Sequence, residues 1–146
     1  MPYTQIIYHI VFATKNRCRC LEQEHRDQLF KYIAGVIKNK KCHLFRIGGV
    51  EDHIHILTSL HPTISLSNLI KDIKVSSSGF IKDQKLFPFF TNWQEGYSAF
   101  TYSNSDKSRI VKYIINQEEH HKFVSYLEEL KGLYLEAGIT YNERYL

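Results

Sequence analysis

Asp52-His53-Ile54-His55-Ile56 is the densest cluster of chemistry-bearing residues in the sequence. In an extended strand alternate side chains share a face, so His53 and His55 project together while Ile54 and Ile56 turn toward a core. Two imidazoles at that spacing are able to share one divalent metal; two half-exposed strand histidines without a ligand are the plain alternative. A second pattern lies in Lys112-Tyr113-Ile114-Ile115-Asn116-Gln117. On a helix Tyr113 and Gln117 are i and i+4, one above the other. Alone, that pair reads equally well as an apolar helix edge beside a solvated glutamine. Together the two patterns suggest more. A metal held by two imidazoles and an amide carbonyl keeps open positions for a phosphate oxygen, and a phenol one turn from the amide is then placed as a nucleophile.

The elements that must position these residues follow from periodicity. Tyr3 to Thr14 is β-branched and aromatic with partial alternation and predicts a strand. Leu21 to about Lys40 predicts a helix, with Leu29, Tyr32, Ile33, Val36 and Ile37 at helical spacing, acids at its start and lysines at its end. His43 to Ile47 reads as a short strand punctuated by Gly48-Gly49, and Asp52 to Ser59 as another. Ser65 caps a predicted helix running to about Ile81, and Tyr97 to Tyr102 forms a further strand. Ser105 to about Leu130 reads as one helix carrying Tyr113, Gln117 and His121. This order is the split βαβ pattern of an α+β, ferredoxin-like domain. It puts helices on one face of an antiparallel sheet, adds a C-terminal helix bearing Tyr113, and leaves the other face for a ligand or a second subunit. Fold alone does not choose between them.

Composition narrows the class. The 146 residues suit one domain spanning 1–146, and 43% hydrophobic with 23% charged content excludes a disordered or fibrous chain. No apolar run approaches the roughly 18 to 20 residues of a membrane span. The only charges of MPYTQIIYHIVFATKNR follow its apolar stretch, the reverse of a signal peptide. Three cysteines suit a reducing, cytoplasmic setting without a disulfide framework. The formal charge of +4 is unevenly spread: Lys15, Arg17 and Arg19 lie in an acid-free N-terminal segment and Lys38, Lys40, Lys41 and Arg46 in another. Residues 118–136 instead carry five glutamates against two lysines. Basic segments of this kind suit a polyanion such as nucleic acid, and also suit an ordinary solvated face.

With these residues in view, the sequence resembles the small insertion-sequence transposases that act on single-stranded DNA, the one-tyrosine branch of the HUH endonucleases (U being an apolar residue). The likeness runs through YHIVFATKNR, GGVEDHIHIL, IKDIKVSSSGFI, NWQEGYSAFTYS and KYIINQEEHHKF, nearly the whole chain. It implies that His53 and His55 are the HUH metal ligands, Gln117 the third ligand, and Tyr113 the nucleophile. The implied cofactor is Mg²⁺ or Mn²⁺. The implied reaction is strand cleavage by transesterification through a 5′-phosphotyrosine, followed by rejoining to a free 3′-hydroxyl. The resemblance also implies a homodimer, in which the nucleophile helix of one subunit completes the metal site of the other. It implies recognition of single-stranded DNA, with hairpins at the element ends, for which Lys15, Arg17, Arg19, Lys71 and Lys74 are the candidate phosphate contacts. A non-catalytic single-strand binding module on the same scaffold, a hydrolase using water, and a domesticated relative that processes repeated palindromes are the alternative readings.

Neighbouring residues carry lesser expectations. Asp52 is able to orient His53, but strand alternation points the two apart and favours a turn or solvent role for Asp52. His121, at i+4 from Gln117, comes within reach of the site while His120 is rotated away, and neither is taken as a ligand. Cys18-x-Cys20 lacks the second pair that a zinc site needs. Packing is the expected use of most of Trp93, Tyr97, Phe100 and Tyr102, and Ser76 to Ser78 the small polar face of a helix.

Overall fold

The structure is a computed structural model and describes residues 2–146. Strands β1 (Ile7–Ala13), β2 (Leu44–Gly49), β3 (His53–Ser59) and β4 (Ser98–Thr101) form one sheet in the order β2-β3-β1-β4. Every pairing is antiparallel: Ile7 to Ala13 of β1 run against Ser59 to His53 of β3, and Tyr8 to Val11 against Thr101 to Ser98 of β4. Helix α1 (Gln23–Asn39) joins β1 to β2, and α2 (Leu66–Asp83) joins β3 to β4. This is the ferredoxin-like order read from the sequence.

Two faces of the sheet carry two different sets of residues, as the strand period requires. Ile10 and Phe12 of β1 and Ile54 and Ile56 of β3 point to the main core, where Leu29, Ile33 and Ile37 of α1 and Leu69, Ile70 and Ile73 of α2 meet them. Each such fully buried aliphatic side chain contributes about 1.5–3 kcal/mol relative to an exposed one. Ser65 caps α2 by accepting from the Asn68 backbone N–H at 3.1 Å, as its position predicts.

The opposite face holds Ile7, His9 and Val11 of β1 with His53, His55 and Leu57 of β3. It is covered by the chain's own C-terminal helices α3 (Lys107–Ile115), α4 (Gln117–His120) and α5 (Tyr126–Ala137). Ile110 and Ile114 of α3 pack on Ile7 and Leu57, and Leu133 of α5 packs with Val11 and Phe100. The single helix expected over 105–130 is therefore three. The chain kinks at Asn116 (φ −89°, ψ 17°), turns at 121–125, and restarts where the Ser125 hydroxyl accepts from the Glu128 N–H at 3.2 Å. Periodicity alone missed these breaks because the apolar spacing continues across them. Gly48 and Gly49 do not end β2 but belong to it. A Cβ on Gly48 would lie 2.9 Å from Ile114 Cγ2 and 3.0 Å from the Ile114 carbonyl oxygen, so the missing side chain is what lets α3 lie this close to β2.

Candidate active site

β3 brings His53 and His55 to the face beneath α3 and α5, both with no exposed surface and with ring centroids 5.1 Å apart. Each ring is aimed through its Nδ1 atom. Asp52 Oδ1 lies 2.7 Å from His53 Nδ1, and His9 Nε2 lies 2.7 Å from His55 Nδ1. His121, in the turn after α4, has its Nδ1 2.7 Å from the Val124 carbonyl oxygen. The Nε2 atoms of all three histidines then face one atom, Oε1 of Glu129 on α5, at 3.2 Å (His53), 3.1 Å (His55) and 3.0 Å (His121). Asp52 thus corrects the expectation of a solvent or turn role. It precedes the first residue of β3, where strand alternation no longer applies, and its carboxylate folds back onto the imidazole.

The same carboxylate gathers the nucleophile candidate. Tyr113 donates its hydroxyl hydrogen to Glu129 Oε2, and the Gln117 amide nitrogen donates to that oxygen at 3.0 Å. The Gln117 carbonyl oxygen lies 3.0 Å from His121 Nε2. Helical bonding runs up to the kink, with the Asn116 N–H donating to Lys112, and resumes beyond it, with His120 N–H donating to Asn116 and His121 N–H to Gln117. Tyr113 and Gln117 still stand one above the other, because the Gln117 amide reaches back to the Tyr113 carbonyl and both side chains meet Glu129 Oε2. The Tyr113 ring stands edge-on to His55 of its own chain, centroids 5.7 Å apart.

Charge follows this geometry. Burial would raise the Glu129 carboxyl, but the imidazoles of His121, His53 and His55 gathered around it hold it far below the usual carboxylate range. Burial, the Glu129 charge and the phenol-to-carboxylate bond together push Tyr113 well above an ordinary tyrosine. Burial works to lower His53, yet its bond to Asp52 and the nearby Glu129 carboxylate leave it raised. In His55, burial prevails over Glu129 and the ring is lowered. Burial and the neighbouring His55 bring His9 down to about 3, so it is neutral near pH 7.

The donor set fits a divalent cation. His53, His55, His121 and Glu129 each offer one ligand atom, and the four atoms lie within 4.8 Å of one another. His53 Nε2 is buried without a hydrogen-bond partner of good geometry, although Glu129 Oε1 is 3.2 Å away. Sequence reading passed over Glu129, seen as one of five glutamates in an acidic stretch, and His9, seen only as part of a strand. Signals for both exist. Tyr126, Glu129, Leu130 and Leu133 share one helix face, and His9 shares its strand face with Ile7 and Val11, so each is a polar residue in an apolar row.

The basic candidates divide. Lys15 and Arg17 are exposed in a tight turn where Asn16 and Arg17 take φ of 56° and 53°. Arg19 pairs with Glu51 at 3.6 Å and lines a pocket with Asp52 and His121. Lys71 is exposed beside a groove of about 660 Å³ between α2 and residues 92–97. Lys74 lines the same groove, but its ammonium donates to the Gln94 and Gly96 carbonyls at 2.8 and 2.5 Å and ties that segment to α2. Trp93 is buried and donates to Ser77 at 2.9 Å, so Trp93 and Ser77 are packing residues. Cys18, Cys20 and Cys42 are free thiols.

The ferredoxin-like sheet therefore sets a buried histidine pair beneath a helix-borne tyrosine, and the comparisons give the class of protein to which this chain belongs. The model of the IS200-like transposase family matches residues 2–117, and the chain belongs to that family. It is therefore a transposase, an enzyme that cuts and rejoins DNA. It is 22% identical over 125 residues to the ISDra2 transposase TnpA of Deinococcus radiodurans, covering 79% of this chain and 86% of the relative. It is 28% identical over 120 residues to the transposase for insertion sequence element IS200 of Salmonella typhimurium, covering 79% and 78%. A crystallised Deinococcus radiodurans R1 chain shares the fold with a TM-score of 0.63 at 23% identity, over 80% of this chain and 93% of that one. So does a REP-associated tyrosine transposase bound to a REP hairpin, with a TM-score of 0.62 at 17% identity over 85% and 73%. Among the described residues, no helix is long and apolar enough to cross a membrane.

Proposed function

We propose that the chain, acting as one domain over residues 1–146, cuts and rejoins single-stranded DNA at the ends of an insertion element, with Tyr113 as nucleophile. The observation that carries this reading is the convergence of Tyr113, Gln117, His53 and His55, from three separate elements, on one buried carboxylate. Tyr113 Oη attacks the scissile phosphorus, and the bond from phosphorus to the 3′ oxygen breaks. The electron pair leaves on that oxygen, which takes up a proton. A 5′-phosphotyrosine and a free 3′-hydroxyl result. Attack by a 3′-hydroxyl on the adduct reverses the exchange and rejoins DNA, so the phosphoester bond is conserved and neither ATP nor water is consumed.

His53, His55 and Gln117 are the proposed ligands of a divalent ion, Mg²⁺ or Mn²⁺, which when bound polarises the phosphate and offsets its developing charge. Glu129 Oε2 accepts the phenol hydrogen at rest and belongs to the segment that covers the site, so the proton that Tyr113 gives up in the exchange passes to the departing 3′ oxygen. Tyr113 is held protonated here, and the histidine pair is covered by residues 121–137. This is a resting arrangement, and a phosphate reaches the pair only when that cover lifts. A homodimer that exchanges nucleophile helices is one way to lift it, and we include it in the proposal. Lys15, Arg17 and Arg19, beyond the end of β1, and Lys71, beside the 92–97 groove, are the proposed phosphate contacts, and hairpins at the element ends are the proposed DNA partner. A cytoplasmic setting suits this substrate and the free thiols.

The test is a denaturing gel of the protein with single-stranded DNA from the ends of its own element, run with Mg²⁺ or Mn²⁺, with chelator, and with Tyr113→Phe. A metal-dependent protein–DNA band that vanishes in Tyr113→Phe is the expected result. Cleavage that survives the substitution would remove Tyr113 from its role and favour a hydrolase.

A further inference from the structure

In the resting arrangement the Gln117 amide is engaged by Glu129 and His121. We infer that those two residues there take its place beside His53 and His55 in a four-ligand site for a nitrogen-preferring transition-metal ion, of the Mn²⁺, Co²⁺ or Zn²⁺ kind, and that this resting donor set disfavours Mg²⁺. The inference rests on the reading that the histidine pair holds a metal. It adds two ligands from the segment that follows the family match, which ends at residue 117.

The Asp52 carboxylate and the Val124 carbonyl only accept, so His53 Nδ1 and His121 Nδ1 carry hydrogen and their Nε2 atoms are the ones free to ligate. His9 Nε2 backs His55 Nδ1 at 2.7 Å, which turns His55 Nε2 to the same point. The three Nε2 atoms and Glu129 Oε1 lie within 4.8 Å of one another. His53 Nε2 is buried among them without a hydrogen-bond partner, a polar atom that a cation would satisfy. Among the described residues Glu129 has no lysine or arginine partner; its ion-pair contacts are His53, His55, His120 and His121. One cation would be within reach of all four atoms together. Each ligating ring would also keep the outer acceptor that fixes metal-bound imidazoles.

The chemical class follows from the donors. Mg²⁺ favours oxygen ligands in near-octahedral geometry and retains several waters. Three imidazole nitrogens and one carboxylate oxygen suit Mn²⁺, Co²⁺ or Zn²⁺ instead. Glu129 divides its two oxygens, Oε1 toward the histidines and Oε2 toward Tyr113 and Gln117. It therefore links the ligand set to the nucleophile and acts on Tyr113 as a positioning residue.

Chelator-stripped full-length protein titrated with Co²⁺, followed by visible absorption and by proton NMR, tests this directly. One Co²⁺ per chain is expected, with three paramagnetically shifted imidazole N–H resonances, unmoved by a large excess of Mg²⁺. Glu129→Gln keeps the side-chain shape and, with an unchanged circular dichroism spectrum, should weaken Co²⁺ binding by more than about tenfold. Two shifted N–H resonances, displacement by Mg²⁺, or wild-type Co²⁺ affinity in Glu129→Gln would overturn the four-ligand site while leaving the histidine-pair reading intact. Wild-type protein that binds neither Co²⁺ nor Mg²⁺ would overturn both.

Discussion

Asp52, His9 and the Val124 carbonyl do the least conspicuous work at the site, since each touches only the far nitrogen of one histidine. An imidazole free to spin about χ2 presents the wrong nitrogen much of the time; an acceptor on Nδ1 fixes both the ring angle and the tautomer. Asp52→Ala should therefore lower divalent-metal affinity by about 10- to 100-fold, measured by titration calorimetry. The Asp52 side chain is 21% exposed and its loss leaves the His53 Nδ1–H buried without an acceptor, so stability should fall as well, by about 1–3 kcal/mol. Undiminished affinity in this variant would show that His53 is held in place by packing alone. Glu129 is the opposite case, a residue with contacts to every proposed site member and no counterpart in the sequence motifs. Burial raises the phenol when the chain is at rest, and the Glu129 carboxylate that Tyr113 shares with the histidines raises it further.

At the scale of elements, the close approach of α3 to β2 decides where Tyr113 stands. Ile114, the next residue, packs over Gly48, and there is no room for a methyl group between them. Gly48→Ala should push α3 outward and cost about 1–3 kcal/mol, read from urea unfolding, because overpacking forces backbone shifts. The same variant should lose strand cleavage more steeply than stability, since the displaced helix carries the nucleophile. Full activity in a variant destabilised by that amount would separate the helix position from catalysis. The kink at Asn116 and the turn at 121–125 matter equally. A straight helix through Leu130 would carry Glu129 away from the sheet, whereas the turn folds α5 back over His53 and His55.

Across the whole molecule, a charge of +4 is small, and its distribution rather than its size makes a nucleic-acid surface. Lys15, Arg17 and Lys71 are exposed around the 92–97 segment, to which Lys15 and Asn16 are tied by bonds to Asn92 and Gln94. Single-strand binding should weaken with salt, and each of Lys15→Ala and Lys71→Ala should reduce the slope of log K against log salt by about 0.7, the value for one phosphate contact on a single strand. Lys74→Ala should behave differently. Its ammonium is engaged by two backbone carbonyls, so its loss should lower the melting temperature and loosen the groove. A slope change at Lys74 equal to that at Lys71 would place both on the DNA.

The sequence by itself determined the order of the four strands and the first two helices, the sharing of one face by His53 and His55, and the stacking of Tyr113 on Gln117. These depend on local backbone period, which a few neighbouring residues fix. It also carried the family resemblance, because the motifs lie in short continuous segments. Only the tertiary structure decided that Glu129 enters the site, that His9 backs His55, that Asp52 turns toward His53, and that Lys74 is a tie. Each of these is a contact between elements distant in sequence, or at an element's end where the period lapses. The Gly48 contact belongs with them: glycine signals a turn to any local reading, and the approach of Ile114 exists only once α3 has docked. Glu129 shows the physical reason most plainly. A glutamate on a helix is ordinarily solvated, and the three histidines that make its burial tolerable come from β3 and the 121–125 turn, so they converge on it only in the folded chain.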